Sequence, residues 1–342
     1  MLKIAQAILE GMAEERADTR TNLFEVQVSP SESGLALSGK VLEKDDLRKL
    51  RARLSTALPD IRIDVSELRV LRVPGIPVLA VATNLTSLQR SPSFLSEQLS
   101  QLLNGMQLEV LFEEGRWCFA RQMDGYLGWA YRPYLGTAQP PRPSHLVAAP
   151  VTPLWSGPGK ETPTLTRILG GTALAVLNEE AQDQSGWAEI ELTGGLRGWL
   201  PLPSLRSYRA LPQTNPQRRA QILQDGAGMT GTPYLWGGCS ANGIDCSGLA
   251  QLLHRLAGVT IPRDADMQRA AARPVEPPFQ PGDLLFFGER GEKEAITHVA
   301  ISLGGWTILH SSRARNGVYV DDVQQVEHLR ASFLAGATYL GE

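Results

Sequence analysis

Residues 231–249 read GTPYLWGGCSANGIDCSGL, and the fold of the C-terminal third follows from this stretch. It is Gly-rich up to Asp245 and then opens a helix, CSGLAQLLHRLAG, with apolar residues at helical spacing. Cys246 stands where loop becomes helix. Backbone N–H groups and the helix dipole favour an anion there, so the thiol is expected to have a depressed pKa. The same N–H groups can hold the oxyanion of a tetrahedral intermediate. A free cysteine is more often just a buried core residue, so this position alone does not define a nucleophile.

The residues downstream change that balance. DLLFFG (283–288) reads as a strand ending in a turn. THVAISL (297–303), a Gly-Gly turn and WTILHSS (306–312) then read as two neighbouring antiparallel strands, and each carries a histidine. His298 would be the general base that holds Cys246 as thiolate. His310 would bind the other ring nitrogen and fix the tautomer, the orienting role of a triad. With the helix NPQRRAQILQDGAGMT at its start and GVYVDD as a further strand, residues 212–342 are expected to form an α+β domain with one antiparallel sheet.

The ordered fragments over about 231–312 resemble the NlpC-type cell-wall peptidase family. They are Tyr234-x-Trp236-Gly-Gly, Asp245-Cys246-Ser247-Gly-Leu, Pro262-Arg263-Asp264, Pro281-Gly-Asp-Leu-x-x-Phe287, His298-Val-Ala-Ile and the later His310. The resemblance implies a papain-like fold and cysteine-peptidase cleavage of peptidoglycan stem peptides, at the bond joining the γ-carboxyl of D-glutamate to a diamino acid such as diaminopimelate. It implies that Cys246, His298 and His310 are catalytic and that Tyr234 assists near the oxyanion. Asp245, Ser247, Trp236, Arg263 and Asp264 are implied substrate contacts, and no cofactor is needed. One departure is Ala265, where relatives often carry a serine that would serve the substrate's carboxylate or diamino acid.

An internal repeat lies upstream. GRWCFARQMDGYLGWAYRPYL (115–135) matches SGWAEIELTGGLRGWLPLPSL (185–205). Trp117, Gly125, Gly128, Trp129, Pro133 and Leu135 pair at one offset with Trp187, Gly195, Gly198, Trp199, Pro203 and Leu205. A longer turn at 181–185 would absorb the shorter offset of the strands before it. Short alternating strands with Gly turns suggest small β-barrels. The Gly-x-x-Gly-Trp ending resembles bacterial SH3 domains. Residues 73–138 and 148–211 are therefore expected to be two SH3-like barrels, joined by the Pro-rich TAQPPRPSH. Tandem barrels ahead of such a peptidase resemble a narrower subgroup whose first barrel closes one side of the active site and recognises a free N-terminal L-Ala. By that resemblance, Ser96-Glu97 and the turn from Asp124 to Trp129 supply Glu97 for the ammonium, with help from Asp245, and Tyr126 to wall the pocket. The second copy has Leu196 in place of that tyrosine.

Residues 1–72 read helix, strand, strand, helix, strand, a small α+β domain suited to docking or packing. The 342 residues thus divide into 1–72, 73–138, 148–211 and 212–342. A net charge of −3 gives no footprint for nucleic acid or for an anionic membrane surface. No apolar run is long enough to span a bilayer. The short apolar start soon meets Glu14, Glu15 and Arg16, so a cytoplasmic location is expected, or a periplasmic or secreted one if a leader has been removed. Three cysteines are no disulfide framework, though Cys239 and Cys246 are close enough in sequence to pair. A zinc site from Cys239, Cys246, His254, His298 and His310 is a rival, disfavoured by the wide Cys spacing and by His254 lying two turns along the helix. Other readings are a wall-binding protein with an inactive peptidase domain, and amidase or acyltransferase chemistry on the same fold. Oligomeric state is not legible.

Overall fold

The structure is a computed structural model describing residues 1–137, 142–177, 186–291 and 294–341. The expected turn at 181–185 and part of the Pro-rich linker lie outside the described residues. The chain forms two compact units, residues 1–79 with 107–132, and residues 80–106 with 133–342.

In the first unit, helix Leu2–Glu15, hairpin strands Phe24–Ser31 and Gly34–Val41, helix Lys44–Ala57 and strand Arg62–Val70 follow in order. The hairpin is antiparallel, and Arg62–Val70 returns parallel to Gly34–Val41 through the second helix. Ala5, Leu9 and Met12 on the first helix and Leu50 and Leu54 on the second recur at helical spacing and bury against Leu35 and Leu37. Strands Gln107–Glu114, Trp117–Gln122 and Leu127–Tyr131 form an antiparallel meander in the same unit. Leu111 and Leu127 share a core with Leu42 and Leu71. Glu109 pairs with Arg72 at 2.9 Å and Arg121 at 3.1 Å. The unit boundary therefore cuts across the expected one at 72/73, because a shared core and ion pairs bridge that point.

In the second unit, residues 145–207 supply seven short strands in one antiparallel run, from Thr164–Leu169 at one edge to Leu205–Ser207 at the other. Val147, Leu154, Ile168, Ile190 and Leu200 fill its core. Among the described residues neither repeat closes into a barrel, so the region ahead of residue 212 is mostly β without the closure expected of it. The repeat itself is visible in strand register. Trp117 faces Tyr131 and Phe119 faces Trp129 in the first copy, as Trp187 faces Pro201 and Glu189 faces Trp199 in the second. Gly125 and Gly195 both have positive φ, 98° and 86°, at the hairpin turn, where a side chain would be strained.

The C-terminal region is α+β. Its six-stranded sheet runs in the order Arg273–Val275, Phe333–Thr338, Leu284–Glu289, Ala295–Gly304, Thr307–Ser312, Gly317–Asp322, and every neighbouring pair is antiparallel. Helix Cys246–Leu256 packs Leu249, Leu252, Leu253 and Leu256 against Leu284, Phe286, Val299, Ile301, Leu309 and Val318. Leu285, Phe287, Ala300 and Ile308, one residue out of phase, pack on Phe279, Val323 and Leu329. A sheet buried on both faces explains why DLLFFG and HVAISL read as near-continuous apolar runs. Among the described residues no helix is long and apolar enough to cross a membrane.

Candidate active site

The helix carrying Cys246 begins on a network that the preceding loop builds. Asp245 is its N-cap, and the carboxylate accepts from the Gly248 N–H at 2.7 Å and the Gly237 N–H at 2.9 Å. The Asp245 N–H donates to the Gly238 carbonyl at 3.1 Å. Gly248 is required because a Cβ there would collide with that same carbonyl. The Gly-Gly pair thus lets the loop fold back under the first turn of the helix.

Arg263 closes the network from the far side. Its Nη1 and Nη2 lie 3.1 and 2.6 Å from the two oxygens of Asp245, its Nη1 lies 2.8 Å from Ser247 Oγ, and its Nε lies 3.2 Å from Ser100 Oγ. Only 2% of Arg263 is exposed. The expectation that Arg263 touches substrate is therefore corrected, since its guanidinium is sealed in and bonded to Asp245, Ser247 and Ser100. Ser247, also buried, donates to Asp245 at 3.2 Å while accepting from Arg263. Asp245, Ser247 and Arg263 bond one another, so what they provide is a rigid seat for the nucleophile's helix end. Asp264 precedes helix Ala265–Ala271 as its N-cap residue, beside Arg263. Ala265 is buried in the core, where the hydroxyl of a serine is missing.

Cys246 is a half-buried free thiol, as Cys239 and Cys118 are free, so the Cys239–Cys246 pairing does not occur. Its sulfur lies against the backbone N–H groups of Ser247 and of Val299, the residue bonded to His298. This brings the thiol to the histidine strand. His298 Nε2 lies 2.8 Å from His310 Nδ1, and His310 Nε2 lies 2.9 Å from an oxygen of Asp321. Asp321 is held in turn by Arg315 Nη1 at 2.6 Å, and the Arg315 guanidinium lies 4.2 Å from the Tyr319 ring centre. The sequence reading missed Asp321. The signal was present in GVYVDD, where strict alternation places Asp321 beside Ile308, diagonal to His310, on the neighbouring strand.

Burial governs the electrostatics. It pushes the Cys246 thiol up to about 12, with the Asp245 carboxylate adding to the rise and the Val299 and Ser247 N–H groups opposing it. It also pushes His298 down to about 3, helped by His310 and His328. The direction is opposite to the depression expected of a helix-start thiol. The helix end favours the anion, but loss of water and the adjacent carboxylate weigh more. His310 is lowered by burial against the opposing hydrogen bond to Asp321. Tyr234 is raised to about 12 by burial and then by Cys246 and Asp245, so its hydroxyl keeps its proton at neutral pH and can donate.

Glu97, from the segment between strands Leu85–Gln89 and Gln98–Leu103, reaches this loop. One of its oxygens accepts from Trp236 Nε1 at 2.9 Å and the other from Arg90 Nε at 2.6 Å. Gln98 Nε2 donates to the Trp236 carbonyl at 3.0 Å, and Gln101 Oε1 accepts from the Cys239 N–H and Ser240 Oγ, both at 2.8 Å. Trp236 is 57% exposed. Tyr126 belongs to the other unit, where it is buried with its N–H on the Asp124 carboxylate at 3.1 Å. His254 points into the core, with Nδ1 2.8 Å from the Ala250 carbonyl.

A thiol at a helix start, a histidine strand beside it and a second histidine on the next strand define a papain-like cysteine peptidase. Residues 231–334 match the family described as NlpC/P60. The chain is 30% identical over 233 residues to a γ-D-glutamyl-L-lysine dipeptidyl-peptidase of Bacillus subtilis (strain 168), covering 65% of this chain and 74% of that protein. It is 26% identical over 270 residues to dipeptidyl-peptidase 6 of Lysinibacillus sphaericus, covering 75% of this chain and 95% of that one. A crystal structure of an NlpC/P60 family protein from Bacillus cereus ATCC 10987 superposes with a TM-score of 0.66 at 22% identity, covering 77% of this chain and 100% of that one, which speaks to fold alone. The chain belongs to the NlpC/P60 family and is a cysteine peptidase.

Proposed function

We propose that this enzyme hydrolyses the bond between the γ-carboxyl of D-glutamate and the amine of a diamino acid in peptidoglycan stem peptides. The observation that carries the reading is the Cys246 thiol against the N–H of Val299, next in the chain to His298, whose ring bonds His310, in a chain 30% identical to a peptidase named for the γ-D-glutamyl-L-lysine bond.

The proposed chemistry uses only this chain's residues. Both partners are neutral at rest, so the Sγ proton passes to His298 Nδ1 as sulfur attacks the γ-carbonyl carbon. A C–S bond forms, and the oxyanion takes hydrogen bonds from the Cys246 N–H and the Tyr234 hydroxyl. The His298 imidazolium then protonates the leaving amine as the C–N bond breaks. Water, deprotonated by His298, attacks the thioester, and the C–S bond breaks to release the acid and restore the thiol. His310 holds the His298 ring throughout.

Glu97 supports a finer reading, preference for a free N-terminal L-Ala. Its carboxylate stands on Trp236 of the nucleophile loop, where an ammonium could replace or join Arg90. The repeated segments are proposed to be SH3-like modules, and a cytoplasmic setting would suit recycling of detached wall peptides. Wall binding without catalysis is the alternative. Incubating the protein with L-Ala-γ-D-Glu-L-Lys and with its diaminopimelate counterpart, read by mass spectrometry, separates the two. Release of L-Ala-γ-D-Glu, lost in Cys246→Ala and His298→Ala, supports the peptidase. Intact peptide, or near-normal turnover in either variant, rules out this assignment.

A further inference from the structure

The strand Gly317–Asp322 contributes Asp321 to the histidine pair. Asp321 accepts at both oxygens, one toward His310 Nε2 at 2.9 Å and the other toward Arg315 Nη1 at 2.6 Å. We propose that Asp321 sets the tautomers of both histidines, and that Arg315 fixes which carboxylate oxygen does so.

The argument is one of donors and acceptors. A carboxylate only accepts, so His310 Nε2 must carry a proton. Burial keeps His310 short of a second proton, so Nδ1 has the lone pair. His298 Nε2, 2.8 Å away, must then be the donor. A neutral His298 with its proton on Nε2 has its lone pair on Nδ1, the form that can take a proton from Cys246. Read backwards, the base at the thiol is set by a carboxylate two rings away. Asp321 is thus a positioning residue that acts through His310.

Arg315 makes the idea testable. Arginine can only donate. In Asp321→Asn the amide oxygen would stay on Arg315 and the NH2 would turn to His310 Nε2. That nitrogen would have to accept, which moves the proton to Nδ1 of His310 and then to Nδ1 of His298. The relay is inverted and His298 no longer serves as base. Removing Arg315 as well frees the amide to rotate and present its oxygen to His310.

The decisive comparison is D321N against D321N/R315A in the full chain, with native protein and C246A as references. Two readouts apply: hydrolysis of L-Ala-γ-D-Glu-L-Lys, and the rate of Cys246 alkylation by iodoacetamide at pH 7 by intact mass. D321N should lose about 100-fold or more in turnover, the range of general acid–base catalysis, with slower alkylation. D321N/R315A should regain about tenfold or more over D321N in both. A merely structural Asp321 would make the double variant no better than the single one. D321N within about fivefold of native, or a double variant at or below D321N, overturns the proposal. Should D321N fail to fold, ring nitrogen shifts of ¹⁵N-histidine in the native protein decide. His310 must be protonated on Nε2 and His298 on Nε2, and the opposite pattern overturns it. Alkylation and NMR need no substrate, so failure here is distinct from failure of the proposed hydrolysis.

Discussion

The Arg263 guanidinium and the Asp245 carboxylate form a two-point pair at 2.6 and 3.1 Å, with side-chain exposures of 2% and 9%, one residue upstream of the nucleophile. Bidentate geometry of this kind is specific to arginine. The pair joins the loop at Gly237, the start of the Cys246 helix and the segment before Ala265, with Ser100 on its outer side. It turns three separate pieces of chain into one support for the thiol.

Removing one partner of a buried pair leaves the other charge uncompensated, which typically costs about 3–5 kcal/mol. Arg263→Ala should therefore lower the unfolding free energy by about that amount, read as a lower urea midpoint at unchanged slope, and reduce turnover together with it. Arg263→Lys should rescue little, because an ammonium cannot span both oxygens. Urea unfolding of the two variants checks this, and a lysine variant of native stability would show that charge alone suffices.

Acid should unfold this protein through its buried histidines. His254 is fully buried and lowered from 6.5 to about 4, chiefly by burial, and His298 is lowered to about 3. Below pH 6.5 the unfolded chain binds these protons and the folded chain does not. Stability therefore rises with pH across about 4–6.5 and is lost as pH falls through that window. His254 alone accounts for about 3 kcal/mol at most. Its Nε2 has no hydrogen-bond partner among the described residues, so His254→Leu should flatten the slope of stability against pH by about one proton. An unchanged slope in urea unfolding from pH 4 to 7 would exclude His254 as a contributor.

Much of the site could be read from the chain because local signals and spacing agreed. Asp245-Cys246-Ser247-Gly248 is both a motif and a helix start, and each histidine sits in a run whose apolar neighbours fix a strand. The parts that escaped depend on contacts remote in sequence. Arg263 resembles a surface residue until Asp245, Ser247 and Ser100 are seen around it. Asp321 needs the register of Gly317–Asp322 on Thr307–Ser312. Burial of the thiol is a property of packing, which a helix-start pattern does not report. Leu42 and Leu71 share a core with Leu111 and Leu127 across the expected boundary near 72, a pairing no periodicity predicts.

Burial holds Cys246 and His298 neutral in the resting enzyme, with the thiol pushed up to about 12 and the imidazole down to about 3. Native protein minus Cys246→Ala should therefore show no thiolate absorbance near 240 nm at pH 7. A full thiolate signal at that pH would mean that the ion pair outweighs desolvation, and that proton transfer precedes substrate binding.

Glu97 offers the sharpest test of the proposed preference for a free amine. Its pKa is lowered, first by the hydrogen bond from Arg90, so it is an anion at neutral pH. Trp236 Nε1 orients it at 2.9 Å from a loop that also carries Tyr234, the proposed oxyanion donor. An ammonium placed there would gain a charge-assisted hydrogen bond, and an acetylated amine would not. Native enzyme should cleave L-Ala-γ-D-Glu-L-Lys with kcat/KM about 10–100-fold above that for the N-acetyl peptide, the worth of one such contact. Glu97→Gln should lower kcat/KM for the free-amine peptide by a similar factor while leaving the acetylated one nearly unchanged. That difference between substrates separates recognition from general damage to the site. Equal cleavage of both peptides by the native enzyme, or an equal loss on both in the variant, would remove Glu97 from amine recognition and leave it as a brace for Trp236.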